Sequence, residues 1–349
     1  MMPTRTFWLL KVRRTALLAS LAWTVALLFA FAVPATAAEA KLLNASFDIA
    51  RELFQNYNDA FVSHWKQQTG ESIVVNQSHA GSSKQARAVI DGLEADVVTF
   101  NQVTDVDAVA ERGLIARDWR KLLPHESSPF SSTIVFLVRK GNPKGIKDWS
   151  DLVKPGLAVI VPNPKTSGNG RYSYLAAWGY ALKQSAGDEA KARAFVGKLF
   201  ANVPVLDTGG RGATMTFAQR EIGDVLLTFE AEVFLTVKEF GDGKFEAVVP
   251  PYSVEADMPV AVVQKVVAKH NTEKLARAYL EYLYSDEGQR IIAANYYRPR
   301  SPKVAEQYAA QFGKLELFSV ENVFGDWVTA QKTHFSEGGV FDQLYRKSK

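Results

Sequence analysis

The sequence predicts an α/β protein of two similar lobes, with mostly parallel sheets flanked by helices and a ligand cleft between the lobes. Three observations carry this. First, apolar β-like runs alternate with amphipathic helical stretches from residue 42 to residue 294, and that repetition yields parallel sheets covered on both faces. Second, four short loops rich in small residues recur at corresponding places: NASFDIAREL (44–53), SHAGSSK (78–84), PNPKTSGNGRY (162–172) and DTGGRGAT (207–214). Three of them lie between a β-like run and a helical pattern, where the unpaired N–H groups of a helix start turn toward one point and form a concave nest for an anion. Third, the 349 residues exceed a single average domain.

The first 38 residues form their own unit. Arg5, Lys11, Arg13 and Arg14 precede an uncharged run over 15–33, then Pro34 and the small residues Ala35-Thr36-Ala37-Ala38. A basic start, an apolar middle and a small-residue end are the layout of a secretory signal peptide. The run is also long enough to span a bilayer as a retained anchor. Pro34 and the alanines favour cleavage between residues 37 and 40. Removing 1–38 removes four basic residues and no acidic ones, so the remainder carries 37 of each sign and the pI of about 9.0 is mostly the leader's. That balance gives no reason to expect nucleic acid or an anionic membrane as partner. The absence of cysteine excludes disulfides, thiolate metal sites, cysteine nucleophiles and an N-terminal lipid anchor. The result is an exported, diffusible chain, expected in a Gram-negative periplasm.

The elements follow in order. Residues 42–45 read as a strand. Asp48 reads as the N-cap of a helix with Leu53, Phe54, Tyr57, Phe61 and Trp65 on one face and Gly70 at its end. Residues 72–76 form a strand, and SHAGSSK leads to a helix through Ala86, Val89, Ile90 and Leu93. Residues 95–100 are a buried strand before a helix over 105–112. Further strands are expected at 132–139, 157–161, 203–206, 225–229, 245–249 and 260–267, and helices at 172–184, 189–199, 272–284 and 287–294. Extended crossings near 131–139 and 248–262 divide the chain into 39–131 plus 250–298 as the first lobe and 132–249 as the second. The 299–349 stretch is a helical segment packing on the lobes. Ligands of open α/β sheets sit at the carboxyl ends of the strands, which places the site in the cleft between the lobes.

The segments QSHAGSSKQA (77–86), ADVVTFNQVTDV (95–106), VRKGNP (138–143), PNPKTSGNGRYSYLAAWGYA (162–181), DTGGRGATMTFAQREIGDVLLTFEAEV (207–233) and YYRPR (296–300) resemble, in the same order, the periplasmic sulfate- and thiosulfate-binding proteins of bacterial ABC importers. NQVTDV, KTSGN, TGGRGAT and the Phe of LLTFEAEV are similar to the thiosulfate-binding branch. The resemblance implies a type II, Venus-flytrap binding protein without a cofactor. It would act as a monomer, capture a dehydrated tetrahedral dianion on neutral donors, and deliver it to a permease driven by ATPase subunits, the transport step of sulfur assimilation.

Motif matching carries specific roles onto this chain. Ser82 is implied as backbone donor of the first anion loop. Ser167, Gly168 and Asn169 form the second loop, Ser167 through both hydroxyl and N–H, and Gly210 gives an N–H from the third. Sulfate-only relatives often have Ala at position 210 and Gly at position 169, and both changes preserve N–H donation. At position 229 they have Trp, whose indole N–H donates to the anion. Phe229 has no donor, and an apolar ring suits the softer sulfur of thiosulfate. Asp48 and Arg211 are implied supports, Asp48 accepting from loop N–H groups and Arg211 bracing backbone carbonyls.

Other chemistries fit less well. A binder of another tetrahedral oxyanion, molybdate or phosphate, shares the loop pattern. A periplasmic serine hydrolase using Ser82 beside His79 and Lys84 lacks both G-x-S-x-G and S-x-x-K spacing. No P-loop spacing and no H-x-x-x-H pair occurs, so no metal site is expected.

Overall fold

The structure, a computed structural model, describes residues 39–347 apart from 242, so the expected signal peptide over 1–38 lies outside the described residues. The chain begins with β1 (Ala40–Phe47), a 3-10 turn (Asp48–Ala50) and α1 (Arg51–Thr69). It continues through β2 (Ile73–Ala80), α2 (Ser82–Ile90), β3 (Val97–Thr99) and α3 (Val103–Glu111). Leu53, Phe54, Tyr57, Phe61 and Trp65 of α1 are buried at helical spacing, and Gly70 ends the helix at φ 76°, where its N–H reaches the Lys66 carbonyl. β1 lies between β2 and β3 and runs parallel to both. A later strand, β10 (Val260–Val262), adds antiparallel to β3, giving a four-stranded sheet in the order β10-β3-β1-β2.

The larger sheet is built on β4 (Phe130–Arg139), β5 (Val159–Pro162), β6 (Leu206–Asp207), β7 (Val225–Phe229) and β9 (Tyr252–Asp257). With β12 (Glu316–Phe318) its order is β12-β9-β4-β7-β5-β6, and β8 (Phe245–Val248) and β11 (Arg298–Pro299) also pair with β4. Helices α4 (Gly168–Gln184), α5 (Glu189–Ala201), α6 (Gly210–Ala218) and α7 (Glu230–Phe240) cover it. Its strands are apolar on both faces for a physical reason. Ile134, Phe136, Val159, Val161, Val225, Leu227 and Phe229 join the main core, while the alternate residues Val135, Leu137, Ile160 and Leu226 join a second core with Ala213, Phe217 and Phe245. Among the described residues every antiparallel pairing involves β4 or β10, and the remaining pairings are parallel. β9 hydrogen-bonds within the larger sheet although it falls in the 250–298 stretch assigned above to the first lobe.

Helices α8 (Gln264–His270), α9 (Glu273–Tyr282) and α10 (Asp286–Ala294) follow. The strand expected over 260–267 therefore stops at Val262. Val263 closes the first turn of α8 by accepting from Val266 and Val267, and the Gln264 side chain accepts from the Ala116 N–H, so tertiary contacts override the β-branched composition. The C-terminal stretch holds β12 as well as short helices. Among the described residues no helix is long and apolar enough to cross a membrane.

Candidate anion-binding site

In both sheets the parallel strands end at the same place. The carboxyl ends of β1, β2 and β3 lead into Asp48, Gly81-Ser82 and Asn101-Gln102, and those of β5, β6 and β7 lead into the starts of α4, α6 and α7. Close approaches show how tightly these ends meet. A methyl on Gly81 would stand 3.1 Å from the Thr166 carbonyl oxygen and 3.3 Å from that of Thr208. A methyl on Gly209 would stand 2.5 Å from Asp48 Oδ2, and one on Gly210 would be 2.2 Å from Ile49 Cδ1 and 2.9 Å from Asn169 Nδ2. All four loops singled out from the sequence thus touch one another.

The donors follow from the helix starts. First-turn N–H groups have no carbonyl one turn back. Among the described residues, those of Ser82, Gly168, Asn169 and Gly210 reach no other acceptor. Ser82 is fully buried and its Oγ has no partner. Ser167 caps α4: its Oγ accepts from the Gly170 N–H at 3.4 Å, which leaves the hydroxyl proton to donate elsewhere. The Ser167 N–H is not available as expected, because it closes a turn onto the Asn163 carbonyl at 2.9 Å. Of the polar groups of Asn169 only the N–H is left uncommitted, since its Nδ2 donates to Thr228 Oγ1 at 2.7 Å and its Oδ1 accepts from Ser173.

Phe229 ends β7 and is fully buried. Its ring stands edge-on to Phe47, 6.5 Å away between centroids, and tilted to Tyr172 at 5.9 Å. Phe47 immediately precedes Asp48, so the ring sits level with the loops and within the core cluster at once.

Asp48 does not cap α1 as expected. It opens the 3-10 turn, and its carboxylate accepts from the Ile49 N–H at 3.1 Å and from the Arg211 N–H of the third loop at 3.1 Å. Burial raises its pKa, opposed by those N–H groups and the Arg211 charge. Arg211 braces carboxylates rather than carbonyls: Nη2 donates to Glu52 Oε1 at 2.6 Å, and Nη1 is 3.7 Å from Glu232. Glu232 is fully buried, and burial pushes its carboxyl up to about 7 against the pull of the Arg211 charge and of Thr214.

On the opposite flank, Arg171 of α4 pairs with Asp105 of α3 at 3.4 Å, with both side chains more than nine-tenths buried. Ser83 Oγ donates to the same carboxylate at 3.1 Å, and Arg171 Nε donates to the Pro164 carbonyl. Ion pairs on both flanks therefore tie helix starts of the smaller sheet to those of the larger. Sequence reasoning assigned no role to Arg171, Asp105, Glu52 or Glu232. Arg171 and Asp105 lie within PNPKTSGNGRY and NQVTDV, which was the available signal.

The chain is similar to known solute-binding proteins. A family model described as bacterial extracellular solute-binding protein matches residues 50–298. The thiosulfate-binding protein of Pseudomonas aeruginosa is 60% identical over 305 residues, covering 87% of this chain and 92% of that one. The sulfate-binding protein of Escherichia coli is 56% identical over 326 residues, covering 93% and 99%. Among solved structures, the sulfate-binding protein SubI from Mycobacterium tuberculosis superposes with a TM-score of 0.76 at 28% identity, over 84% of this chain and 99% of that one. The fold is that of a two-lobed type II binding protein. The chain belongs to the bacterial extracellular solute-binding proteins, as a relative of the sulfate- and thiosulfate-binding proteins.

Proposed function

We propose that this chain captures sulfate or thiosulfate between its lobes and hands it to the membrane subunits of an ATP-driven importer. The observation that carries the reading is the close approach of the loops that hold Ser82, Gly168, Asn169 and Gly210, whose helix-start N–H groups reach no acceptor, together with the uncommitted hydroxyl proton of Ser167. Such a set neutralises a dianion with partial charges fixed in the backbone, without a metal or a cationic side chain in contact. A periplasmic setting for this step is supported by the leader-like sequence over 1–38 and by the family. The lobes of the reading are 39–131 with 250–298 and 132–249, closing like a flytrap, with Asp48 and Arg211 as supports. In this reading the protein acts by binding; Ser82 makes no hydrogen bond to His79 or Lys84, so the serine-hydrolase alternative gains no support. Phe229 offers no donor and faces the sulfur of thiosulfate, so thiosulfate binds at least as well as sulfate.

Calorimetric titration with sulfate, thiosulfate, molybdate and phosphate tests this. Sulfate and thiosulfate should bind tightly. Hydrogen phosphate brings a proton that a set of donors cannot accept, at a cost of about 1–3 kcal/mol, roughly 5- to 150-fold in affinity. Phosphate binding as tightly as sulfate would refute the donor-only reading, and binding of neither sulfur anion would refute the function.

A further inference from the structure

Asn101 follows β3 and precedes Gln102, the residue that caps α3. It is 2% exposed, and its Oδ1 is buried without a hydrogen-bond partner. A carboxamide buried with an unmet acceptor is costly, and native interiors leave few such groups unexplained. Its neighbour behaves differently. Gln102 Nε2 donates to the Gly168 carbonyl at 3.5 Å and its Oε1 accepts from Thr104, so Gln102 is spent on holding the second loop. Asn101 has no such work, yet it lies against the same glycine: its Oδ1 is 2.0 Å from where a Gly168 Cβ would be. Gly168 is one of the residues whose N–H points at the anion in the reading above. The orphaned amide therefore borders the donor loop, at the carboxyl end of a strand adjacent to β1.

We propose that the Asn101 carboxamide is a ligand of the bound anion, donating from Nδ2, and that it supplies the side-chain donor that Phe229 lacks. The terminal amide torsion is broad and two-fold, so a half-turn places Nδ2 where Oδ1 lies without moving the backbone. An amide donor is neutral, like the rest of the set, and adds no charge to a site built on backbone dipoles. This also sets selectivity: Asn101 holds an oxygen, which leaves the sulfur of thiosulfate to the Phe229 side. The inference rests on the sulfate/thiosulfate reading.

The test is calorimetry with sodium sulfate and sodium thiosulfate on the wild-type chain, Asn101→Ala and Asn101→Asp, with thermal unfolding of each. Asn101→Ala should keep the wild-type melting temperature without ligand, and Asn101→Asp, which buries a carboxylate, is compared with its own unfolding at each pH. Asn101→Ala should weaken both anions by about tenfold or more, the scale of one lost hydrogen bond to a charged group. Asn101→Asp keeps the shape but replaces a donor by a negative charge. It should lose binding at neutral pH and regain part of it as the pH falls through the carboxylate range, because a protonated Asp again donates. A residue that merely borders the anion shows the same recovery in the Asp variant but no loss in Asn101→Ala. Wild-type affinity in Asn101→Ala overturns the proposal, as does an Asp variant whose binding does not recover in acid. Should Asn101→Ala fail to fold, Asn101→Leu, nearly isosteric and without a donor, decides in its place. A wild-type chain that binds neither anion instead refutes the reading on which the inference rests.

Discussion

Gly210 and Asn169 compete for the same space, and this makes their substitutions non-additive. An alanine at 210 would put its Cβ 2.2 Å from Ile49 Cδ1, 2.9 Å from Ile49 Cγ1 and 2.9 Å from Asn169 Nδ2. Carbon atoms in contact settle near 3.5–4.0 Å, so both neighbours must give way. Ile49 is fully buried and can yield only by leaving its rotamer or shifting the 3-10 turn. Asn169 can yield only by breaking its 2.7 Å hydrogen bond to Thr228. Overpacking of this kind costs about 1–3 kcal/mol. Asn169→Gly alone leaves Thr228 Oγ1 without that donor, a cost of about 1–3 kcal/mol. In the double variant the methyl occupies the space the amide left, so the sum of the single effects should exceed the double effect by about 1 kcal/mol. Urea unfolding of the four proteins, at matched m-values, reads this directly. Anion affinity of the double variant should stay within a few-fold of wild type, because the N–H groups at 169 and 210 remain. Additivity within about 0.5 kcal/mol would refute the steric coupling.

Three further predictions concern the surroundings of the site. Phe229→Trp restores a ring donor and should raise the ratio of sulfate to thiosulfate affinity about tenfold, or about 1.4 kcal/mol, whereas Ser167→Ala should weaken both anions; equal or absent effects of Phe229→Trp in calorimetry would assign that ring to core packing alone. Asp105→Leu leaves Arg171 buried and unpaired and should cost about 3–5 kcal/mol in denaturant unfolding, while the double variant with Arg171→Met should recover much of it, and an equally unstable double variant would contradict the pairing. His270 lies between Asp96 at 3.1 Å and Glu94 at 3.2 Å, with Lys269 also on Glu94; desolvation lowers its pKa, but hydrogen bonds to Asp96 and Glu94 outweigh it and hold the pKa above its ordinary value. A raised pKa contributes stability fully present below the unfolded value of about 6.5 and lost as the pH rises through the folded value. His270→Gln should therefore destabilise the protein more at mildly acidic than at alkaline pH, and a pH-independent loss in thermal unfolding would rule that linkage out.

Much of the scaffold was legible because its signals are local. The strand over Val225–Phe229 and the loops before Ser82, Gly168 and Gly210 declare themselves through apolar runs, small residues and helix starts. What stayed hidden depends on residues far apart in sequence. The Ser167 N–H is lost to a turn whose geometry the motif does not state. Arg211 finds Glu52 across 159 positions, and Arg171 finds Asp105 across 66, so neither partner can be read from spacing. Val263–Val267 looks like a strand by composition and becomes helix because tertiary partners at its start demand it. Asn101 lies within a recognisable motif, but nothing local distinguishes its unused amide from the anchored amide of Gln102; only burial and the missing partner do.

If backbone N–H groups at helix starts hold the anion, proton–nitrogen correlation spectra of the labelled protein must register it. Titration with sulfate or thiosulfate should move the amide resonances of Ser82, Gly168, Asn169 and Gly210 together and strongly downfield, as charge-assisted hydrogen bonds do, and protect them from exchange. Saturable binding that leaves those four amides in place would contradict the account.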